Sequence, residues 1–306
     1  TTTTATTVRI GEPGRWPLNK PFTPFVTAIN TPAFMDRQLY ADTAMPMLAE
    51  AGIRVWRYPG GQVGDTWCPT TSADPHHDAC FERYPILKRM GHFPTPPNFL
   101  HLAQFIDECR KHACIPILQM NAVVALQYGP AACASLTAAI IHDFAKAGII
   151  VRYVEFGNEL YGTWSTALQR MPSPSDGQPP YTPESYASNF TAVRTALLNK
   201  LPSNEPSFGL LLNEVFPHDR KGNNIIEWNE RVLSSRSGAR SDADWVTVHR
   251  YYSGIWAPLH TDAEVLWLGD SKDRGSGPGY LHQLAQVVNQ HYALASGSSA
   301  VTTIPT

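Results

Sequence analysis

The chain has 306 residues, of which 43% are hydrophobic and 16% are charged, and its formal net charge is −2. Such a chain can bury one large core or two modest ones. The small net charge argues against nucleic acid or an anionic membrane surface as a partner. The longest apolar stretch, Ile115–Leu126, is too short to cross a membrane and is interrupted by Gln119 and Asn121, so we expect no membrane insertion. Low charge with many Pro, Ser and Thr residues is typical of secreted proteins, and we expect an extracellular location.

The predicted strands are short runs of β-branched and aromatic residues, and the predicted helices repeat apolar residues every three or four positions. Residues 1–20 are predicted to be an extended lead-in to a single domain over residues 21–306. The predicted strands are Phe22–Ile29, Ile53–Tyr58, Cys114–Met120, Val151–Phe156, Phe208–Leu212 and Trp245–Val248, with Val301–Pro305 as the start of a seventh. The predicted helices are Thr43–Ala51, one that Thr95 caps and that extends to about Cys109, Ala132–Ala147, one from Thr182 to about Leu197, Ile225–Leu233 and Tyr280–Leu294.

The connections between these elements favour one fold class. Helix-to-strand connections are short, whereas the strand-to-helix connections Pro59–Thr95, Leu160–Tyr181 and Tyr252–Gly279 are long. Alternating βα units with elaboration at one end of the strands predict an α/β fold of the (β/α)8 TIM-type barrel class. A doubly wound open sheet is the second choice. It usually carries a glycine-rich phosphate turn after its first strand, and no GxGxxG or GxxxxGK[ST] motif is present.

The five cysteines leave more than one disulfide pairing open. Cys68 and Cys80 flank a loop rich in Pro, His and Asp, where a disulfide would restrict the loop. Cys109 and Cys114 are a second possible pair, which would leave Cys133 over. No Cys-x-x-Cys motif occurs, and the histidines of the loop lack the spacing of metal ligands. We therefore expect disulfides, no bound metal and no cofactor.

The carboxyl ends of the predicted strands are unusually polar. In a barrel these ends converge on one mouth, so residues far apart in sequence become neighbours. The segments concerned are Arg57-Tyr58-Pro59-Gly60-Gly61, Gln119-Met120-Asn121, Gly157-Asn158-Glu159, Asn213-Glu214 and His249-Arg250-Tyr251-Tyr252. A carboxylate in such a mouth can have its pKa raised enough to act as a general acid. Tryptophans such as Trp164 could stack on the apolar faces of sugar rings.

Each of these residues also has a structural interpretation. An Asn-Glu pair occurs in many unrelated loops, and Glu159 could simply favour the start of a helix. Arg57 could be a structural ion-pair partner, and His249 could be a core histidine bonded to backbone. Tyr251 could be a packing residue, and core packing is the alternative for any single tryptophan.

Three of the segments together resemble the retaining clan of (β/α)8 glycoside hydrolases, closest in look to the heparanase/β-glucuronidase and α-L-arabinofuranosidase branches. Arg57-Tyr58-Pro59-Gly60-Gly61 is similar to the Arg-x-Pro-Gly-Gly segment that ends the second strand there. Glu155-Phe156-Gly157-Asn158-Glu159 resembles the fourth-strand segment with the general acid/base. Val248-His249-Arg250-Tyr251-Tyr252 resembles the sixth-strand His-x-Tyr-Tyr segment.

The resemblance implies a role for each matching residue. Glu159 would be the general acid/base, and Asn158 would hydrogen-bond the 2-hydroxyl of the sugar. Arg57 and Tyr251 would orient the nucleophilic carboxylate, and His249 would line the subsite. Gln119, Asn121 and Trp164 complete the predicted substrate-binding set. The implied substrate is an oligo- or polysaccharide.

The nucleophile is the main departure from the family. A retaining enzyme needs a second carboxylate about 5 Å from the first, and in the family it lies at the end of the seventh strand. No Asp or Glu follows Asp273. We therefore expect a barrel that is incomplete in this chain, with about six βα units and the start of strand seven. The remaining C-terminal part or a second chain would complete it.

A non-catalytic interpretation stays open. The same barrel could serve as a structural or carbohydrate-binding extracellular protein without cleaving a glycosidic bond.

Overall fold

A computed structural model describes residues 28–30, 40–66, 79–90, 100–162, 181–201, 206–212, 225–234, 236 and 238–248. Its centre is a sheet of six parallel strands, each hydrogen-bonded to the next strand along the chain. The strands are β1 Ala28–Asn30, β2 Val55–Tyr58, β3 Ile115–Met120, β4 Tyr153–Phe156, β5 Ser207–Leu212 and β6 Trp245–Val248. A doubly wound sheet reverses its strand order. The described strands do not, so the predicted (β/α)8 class is confirmed and the second choice is wrong.

Helices connect the strands in the βα pattern. A π-helical turn, Tyr40–Ala44, leads into the first α-helix. The α-helices are α1 Met45–Glu50, α2 Val63–Thr66, α3 Ala79–Arg83, α4 Pro85–Met90, α5 Leu102–His112, α6 Ala122–Tyr128, α7 Pro130–Lys146, α8 Pro183–Leu198, α9 Ile225–Ser234 and α10 Ala239–Asp242. No helix in the described ranges is long and apolar enough to cross a membrane. The predicted elements Tyr280–Leu294 and Val301–Pro305 lie outside the described residues.

The predicted start of α5 is wrong. The helix begins at Leu102, and Leu100 and His101 before it are not helical. The Gln104 side-chain oxygen accepts from the backbone N–H of His101 at 3.3 Å, which is one half of a capping box. This cap sets the start of the helix in place of Thr95 and Pro96. Five further helices, α2, α3, α4, α6 and α10, are not predicted from the sequence, because each is only four to seven residues long.

The two faces of the sheet differ in polarity. Side chains alternate between the two faces along a strand. Gln119 pairs with Glu155, and Arg57 pairs with Ile117, two residues before Gln119. Arg57, Gln119 and Glu155 therefore lie on the same face. The other face is apolar and carries the core. Its fully buried members include Trp56, Tyr58, Leu118, Val154, Phe156, Phe208, Leu210 and Leu212. Helices cover this face: Tyr58 stacks on Phe105 with ring centroids 4.4 Å apart, and Phe156 on Tyr186 at 5.4 Å. The polar face is therefore the barrel interior.

A single tyrosine joins β4 to β5 where their pairing ends. The two strands are in register only as far as Glu155 and Gly209. Beyond that point the hydroxyl of Tyr186, from α8, donates to the Phe156 carbonyl at 3.0 Å and accepts from the Leu211 N–H at 2.8 Å. The side chain thus supplies hydrogen bonds that the separating strands no longer give each other, at the carboxyl end of the sheet.

The amino ends of the strands have short, tightly closed connections. Gly52 and Gly148 have φ of +79° and +77°, which end the preceding helices in the left-handed conformation as expected. Cys109 and Cys114 form a disulfide across the turn before β3, which confirms this possible pair, and Cys133 is a buried free thiol. Cys80 is also disulfide-bonded, whereas its predicted partner Cys68 lies outside the described residues.

Candidate active site

The turn after β4 places the predicted acid/base beside the polar face. The N–H of Gly157 donates to the Met120 carbonyl at 3.1 Å, which extends the pairing of β3 and β4 by one bond. The chain then turns, with φ of +76° at Gly157 and +47° at Glu159. Asn158 and Glu159 are 3% and 4% exposed. A left-handed conformation costs a residue with a side chain roughly 1–2 kcal/mol. Such strain clusters at functional sites, which makes this turn a candidate site.

Arg57 links this turn to the strands. Its Nε donates to Glu155 Oε1, and one of its terminal nitrogens donates to Asn158 Oδ1 at 3.1 Å. Because β3 lies between β2 and β4, the guanidinium reaches across β3 to make both contacts. Arg57 is 9% exposed and Glu155 is 1% exposed, so this is a buried ion pair. The predicted role of Arg57, orienting a nucleophile on a later strand, stays a prediction.

Asp65, in α2, connects the turn to α6. Its Oδ2 accepts from the Asn158 N–H at 2.9 Å, and its Oδ1 accepts from the Ala122 N–H at 3.2 Å. The side chain is fully buried, and burial raises the pKa of its carboxyl to about 7 against the lowering effects of the two backbone N–H bonds and of Arg57. Desolvation therefore outweighs every favourable contact of the charged form.

The two predicted amide residues at the carboxyl end of β3 occupy different positions. Gln119 is buried on the polar face, and its amide lies where a Cβ at residue 64 would stand, so a side chain at Gly64 would displace that amide. No protein atom in the described ranges meets hydrogen-bond geometry with Gln119 Oε1 or Nε2. Asn121 instead caps α6, since its Oδ1 accepts from the Val124 N–H at 2.9 Å. That oxygen already has a structural partner.

The structure thus brings Arg57, Gln119, Asn158 and the backbone of Glu159 to one end of the sheet. The other predicted site residues, Trp164, His249 and Tyr251, lie outside the described residues. Two buried carboxyls in the same cluster, Glu155 and Asp65, are not predicted from the sequence. Strand alternation could have found Glu155, because Tyr153 and Glu155 share a face opposite to Val154 and Phe156. Asp65 has no comparable pattern.

The described part of the site brings several titratable side chains together in the interior. It combines three buried carboxyl side chains, Asp65, Glu155 and Glu159, with a buried guanidinium and two amides. No group of three or more His, Cys, Asp or Glu residues in the described ranges could hold a metal ion.

Comparison with known proteins supports the fold. No family model and no curated protein sequence matches the chain. Among solved structures, the chain is similar to AbfB, a family 51 α-L-arabinofuranosidase from Bifidobacterium longum, with a TM-score of 0.57 and 15% identity over 90% of this chain and 52% of that one. It also matches an α-L-arabinofuranosidase from Thermotoga maritima with a TM-score of 0.45 and 17% identity, over 68% of this chain and 38% of that one.

The chain therefore spans about half the length of AbfB. Its fold is similar to that of AbfB, which confirms the resemblance to the α-L-arabinofuranosidase branch at the level of fold. The residues that the structure describes contain six parallel strands, which is consistent with the expected incomplete barrel. The activity of those enzymes is a separate matter from the fold.

Proposed function

We propose that this chain carries the acid/base part of a retaining glycoside hydrolase site that cleaves a glycosidic bond in an oligo- or polysaccharide. The observation that carries the proposal is the strained, buried turn that places Asn158 and Glu159 at the carboxyl end of β4. Ligands of (β/α)8 enzymes bind at this end of the strands. The fold is similar to that of AbfB, which is an α-L-arabinofuranosidase.

The orientation of the Asn158 amide supports a role in sugar binding. Arg57 has donors and no acceptor, so the atom that faces it at 3.1 Å must be the Asn158 oxygen. The Nδ2 group then points away from the guanidinium and is placed to donate. In a retaining glycosidase a donor to the 2-hydroxyl strengthens its bond as the oxocarbenium-like transition state develops. Asn158 would make that contact.

Glu159 would act twice in the reaction. As a carboxylic acid it would donate a proton to the departing glycosidic oxygen, and as a carboxylate it would then take a proton from the attacking water. The nucleophile is proposed to lie outside the 306 residues. Gln119, Trp164, His249 and Tyr251 are proposed to line the sugar subsites, and the setting is proposed to be extracellular.

The experiment is the Glu159→Gln variant of the native, full-length protein, assayed on a panel of aryl glycosides. Glu184→Gln is the matched control, because it makes the same change at an exposed glutamate of α8 that pairs with Arg231. We expect Glu159→Gln to lose about 10²- to 10⁴-fold in kcat on aryl groups that leave poorly. The rate of bond cleavage should fall much less on dinitrophenyl glycosides, because the dinitrophenolate group departs without being protonated.

Three results would count against the proposal. Unchanged turnover on poor leaving groups removes Glu159 from its role. An equal loss with all leaving groups indicates a folding defect rather than a missing acid. Saturable sugar binding by the wild-type protein with no turnover of any substrate favours the alternative, a non-catalytic carbohydrate-binding protein.

A further inference from the structure

We propose that Asp65 is a positioning residue for Glu159, an inference that rests on the proposed function. It would act through the main chain, by holding the N–H of Asn158 and with it the turn that carries the acid/base. No step of the reaction requires Asp65 to touch the substrate, and its side chain is fully buried.

Both carboxyl oxygens of Asp65 are used on backbone that borders the turn. One accepts from the Asn158 N–H at 2.9 Å and the other from the Ala122 N–H at 3.2 Å. Asp65 therefore joins three segments that are separate in sequence: α2, the first turn of α6 and the turn after β4. A buried backbone N–H needs an acceptor, and Asp65 supplies one to each of these two groups.

The turn after β4 also packs closely on α6. A Cβ at residue 157 would lie 3.2 Å from the Ala122 Cβ and 2.5 Å from Leu160 Cδ1, so Gly157 lets β4 pass closely over α6. The residues on either side of Asn158 have positive φ, and for Glu159 that conformation is unfavourable. A conformation of this kind persists only where surrounding contacts hold it. The residue that Asp65 holds, Asn158, lies between the two left-handed residues of the turn, Gly157 and Glu159.

Asn158 is thus held at both its backbone and its side chain. Asp65 fixes the N–H, and Arg57 fixes the side-chain oxygen. The Arg57 contact alone would allow the backbone to rotate about the side chain. The two contacts together define the direction in which the next residue, Glu159, leaves the turn. Loss of the Asp65 bond should therefore displace the acid/base while leaving the Arg57–Glu155 pair in place.

The chain contains a matched control for this contact. Asp244, just before β6, accepts from the Phe208 N–H through Oδ2 at 2.8 Å, at the amino end of the strands. It is also an aspartate that holds one strand's backbone from a neighbouring connection. Asp244→Asn makes the same chemical change far along the sheet from the turn.

The test compares Asp65→Asn and Asp244→Asn in the native, full-length protein. The asparagine nitrogen cannot accept a hydrogen bond, so the N–H of Asn158 or that of Ala122 loses its acceptor at residue 65. We expect Asp65→Asn to lower kcat on poor leaving groups by about 10- to 100-fold, with KM changed by less than about 3-fold and with a smaller loss in bond cleavage on dinitrophenyl glycosides. Amide hydrogen exchange of residues 157–162 should become faster. Asp244→Asn should show neither change.

The outcomes separate this inference from the proposed function. A wild-type protein that cleaves no glycoside overturns the proposed function and the positioning role with it. An active wild type with an equally active Asp65→Asn overturns the positioning role alone, as does a loss that is the same for every leaving group. If Asp65→Asn does not fold, exchange in the wild type decides, because an Asn158 amide that exchanges as fast as an exposed loop contradicts the proposed bond.

Discussion

The two ends of the strands differ in how their polar groups are buried. At the amino ends the connections are short, a disulfide joins Cys109 to Cys114, and the polar contacts are partly open to solvent, such as Arg54 to the His112 carbonyl at 2.9 Å. At the carboxyl ends the polar side chains are buried and contact one another. Arg57 bonds to the side chains of Glu155 and Asn158, and Asp65 accepts from the backbone N–H of Asn158.

This difference indicates where the chain carries its function. Removing a charged group from water is costly, and a buried ion pair is often no more stabilising than apolar residues of the same volume. The amino ends show that the fold can close its connections without buried charge. The charges at the carboxyl ends are therefore better explained by chemistry at that end than by stability.

The largest expected effect is a loss of folding stability when Arg57 is replaced, compared with replacement of the nearby Arg54. Arg57→Met leaves Glu155 as a buried carboxylate without this partner, and we expect a loss of about 3–5 kcal/mol in the free energy of unfolding. Arg54→Met, three residues earlier, removes a half-buried contact that water can replace, and should cost about 1 kcal/mol. Urea unfolding of the two variants at pH 7 measures the difference.

The double variant Arg57→Met/Glu155→Gln sharpens this comparison. It removes both charges, so it should recover a large part of the stability that Arg57→Met loses. Equal losses for Arg57→Met and Arg54→Met would show that burial of charge does not distinguish the two ends. Failure of the double variant to recover stability would show that Arg57 acts by packing.

A pH dependence of stability is the next effect. The pKa of Asp65 is about 7 in the folded protein and has an ordinary value of 3.8, because burial opposes the charged form. Between these pH values the folded state binds a proton that the unfolded state has lost. The contribution of Asp65 to stability is therefore fully present below about pH 4 and is lost as the pH rises through 7.

Asp65→Asn should flatten this part of the profile, measured as the free energy of unfolding between pH 4.5 and 8. Arg57, which is charged throughout, faces the same carboxyl, and Tyr181, whose pKa burial raises well above its ordinary value, stays neutral. Neither therefore contributes a slope of its own in this range. An unchanged slope in Asp65→Asn would assign the pH dependence to other groups.

The smallest expected effect concerns the tyrosine between β4 and β5. Tyr186→Phe leaves the buried Phe156 carbonyl and Leu211 N–H without the hydroxyl, and should cost about 1–3 kcal/mol. Tyr128→Phe is the control, because that hydroxyl accepts from the Ile86 N–H at 3.1 Å on a side chain that is 39% exposed. It should cost less than about 1 kcal/mol. Equal thermal shifts in both variants would contradict a special role for Tyr186.

Much of the fold is predictable because its local patterns agree with its tertiary contacts. β6 was predicted at Trp245–Val248 and lies there, and α8 begins at Pro183 after the expected Thr182 cap. The predicted α5 start is wrong because Leu100 and His101 are not helical, and histidine is not among the residues that usually precede a helix.

The site was predictable only where a residue stands beside a strand end. Arg57, Asn158 and Glu159 do, and short polar motifs marked them. Asp65 lies in a short helix within a long loop, and its partners Ala122 and Asn158 are 57 and 93 residues away. No local pattern encodes such contacts. The sequence does not mark Glu155 as a site residue, because a single charged residue inside a strand gives no motif at the strand end.

The most direct test of the central claim is the pH dependence of kcat/KM for the wild-type protein and Glu159→Gln on one aryl glycoside. A general acid must be protonated in the free enzyme, so wild-type activity should fall at high pH as Glu159 ionises. The variant should lack that fall and retain only the limb from the nucleophile. Identical profiles in the two proteins would contradict the assignment of Glu159 as the acid/base.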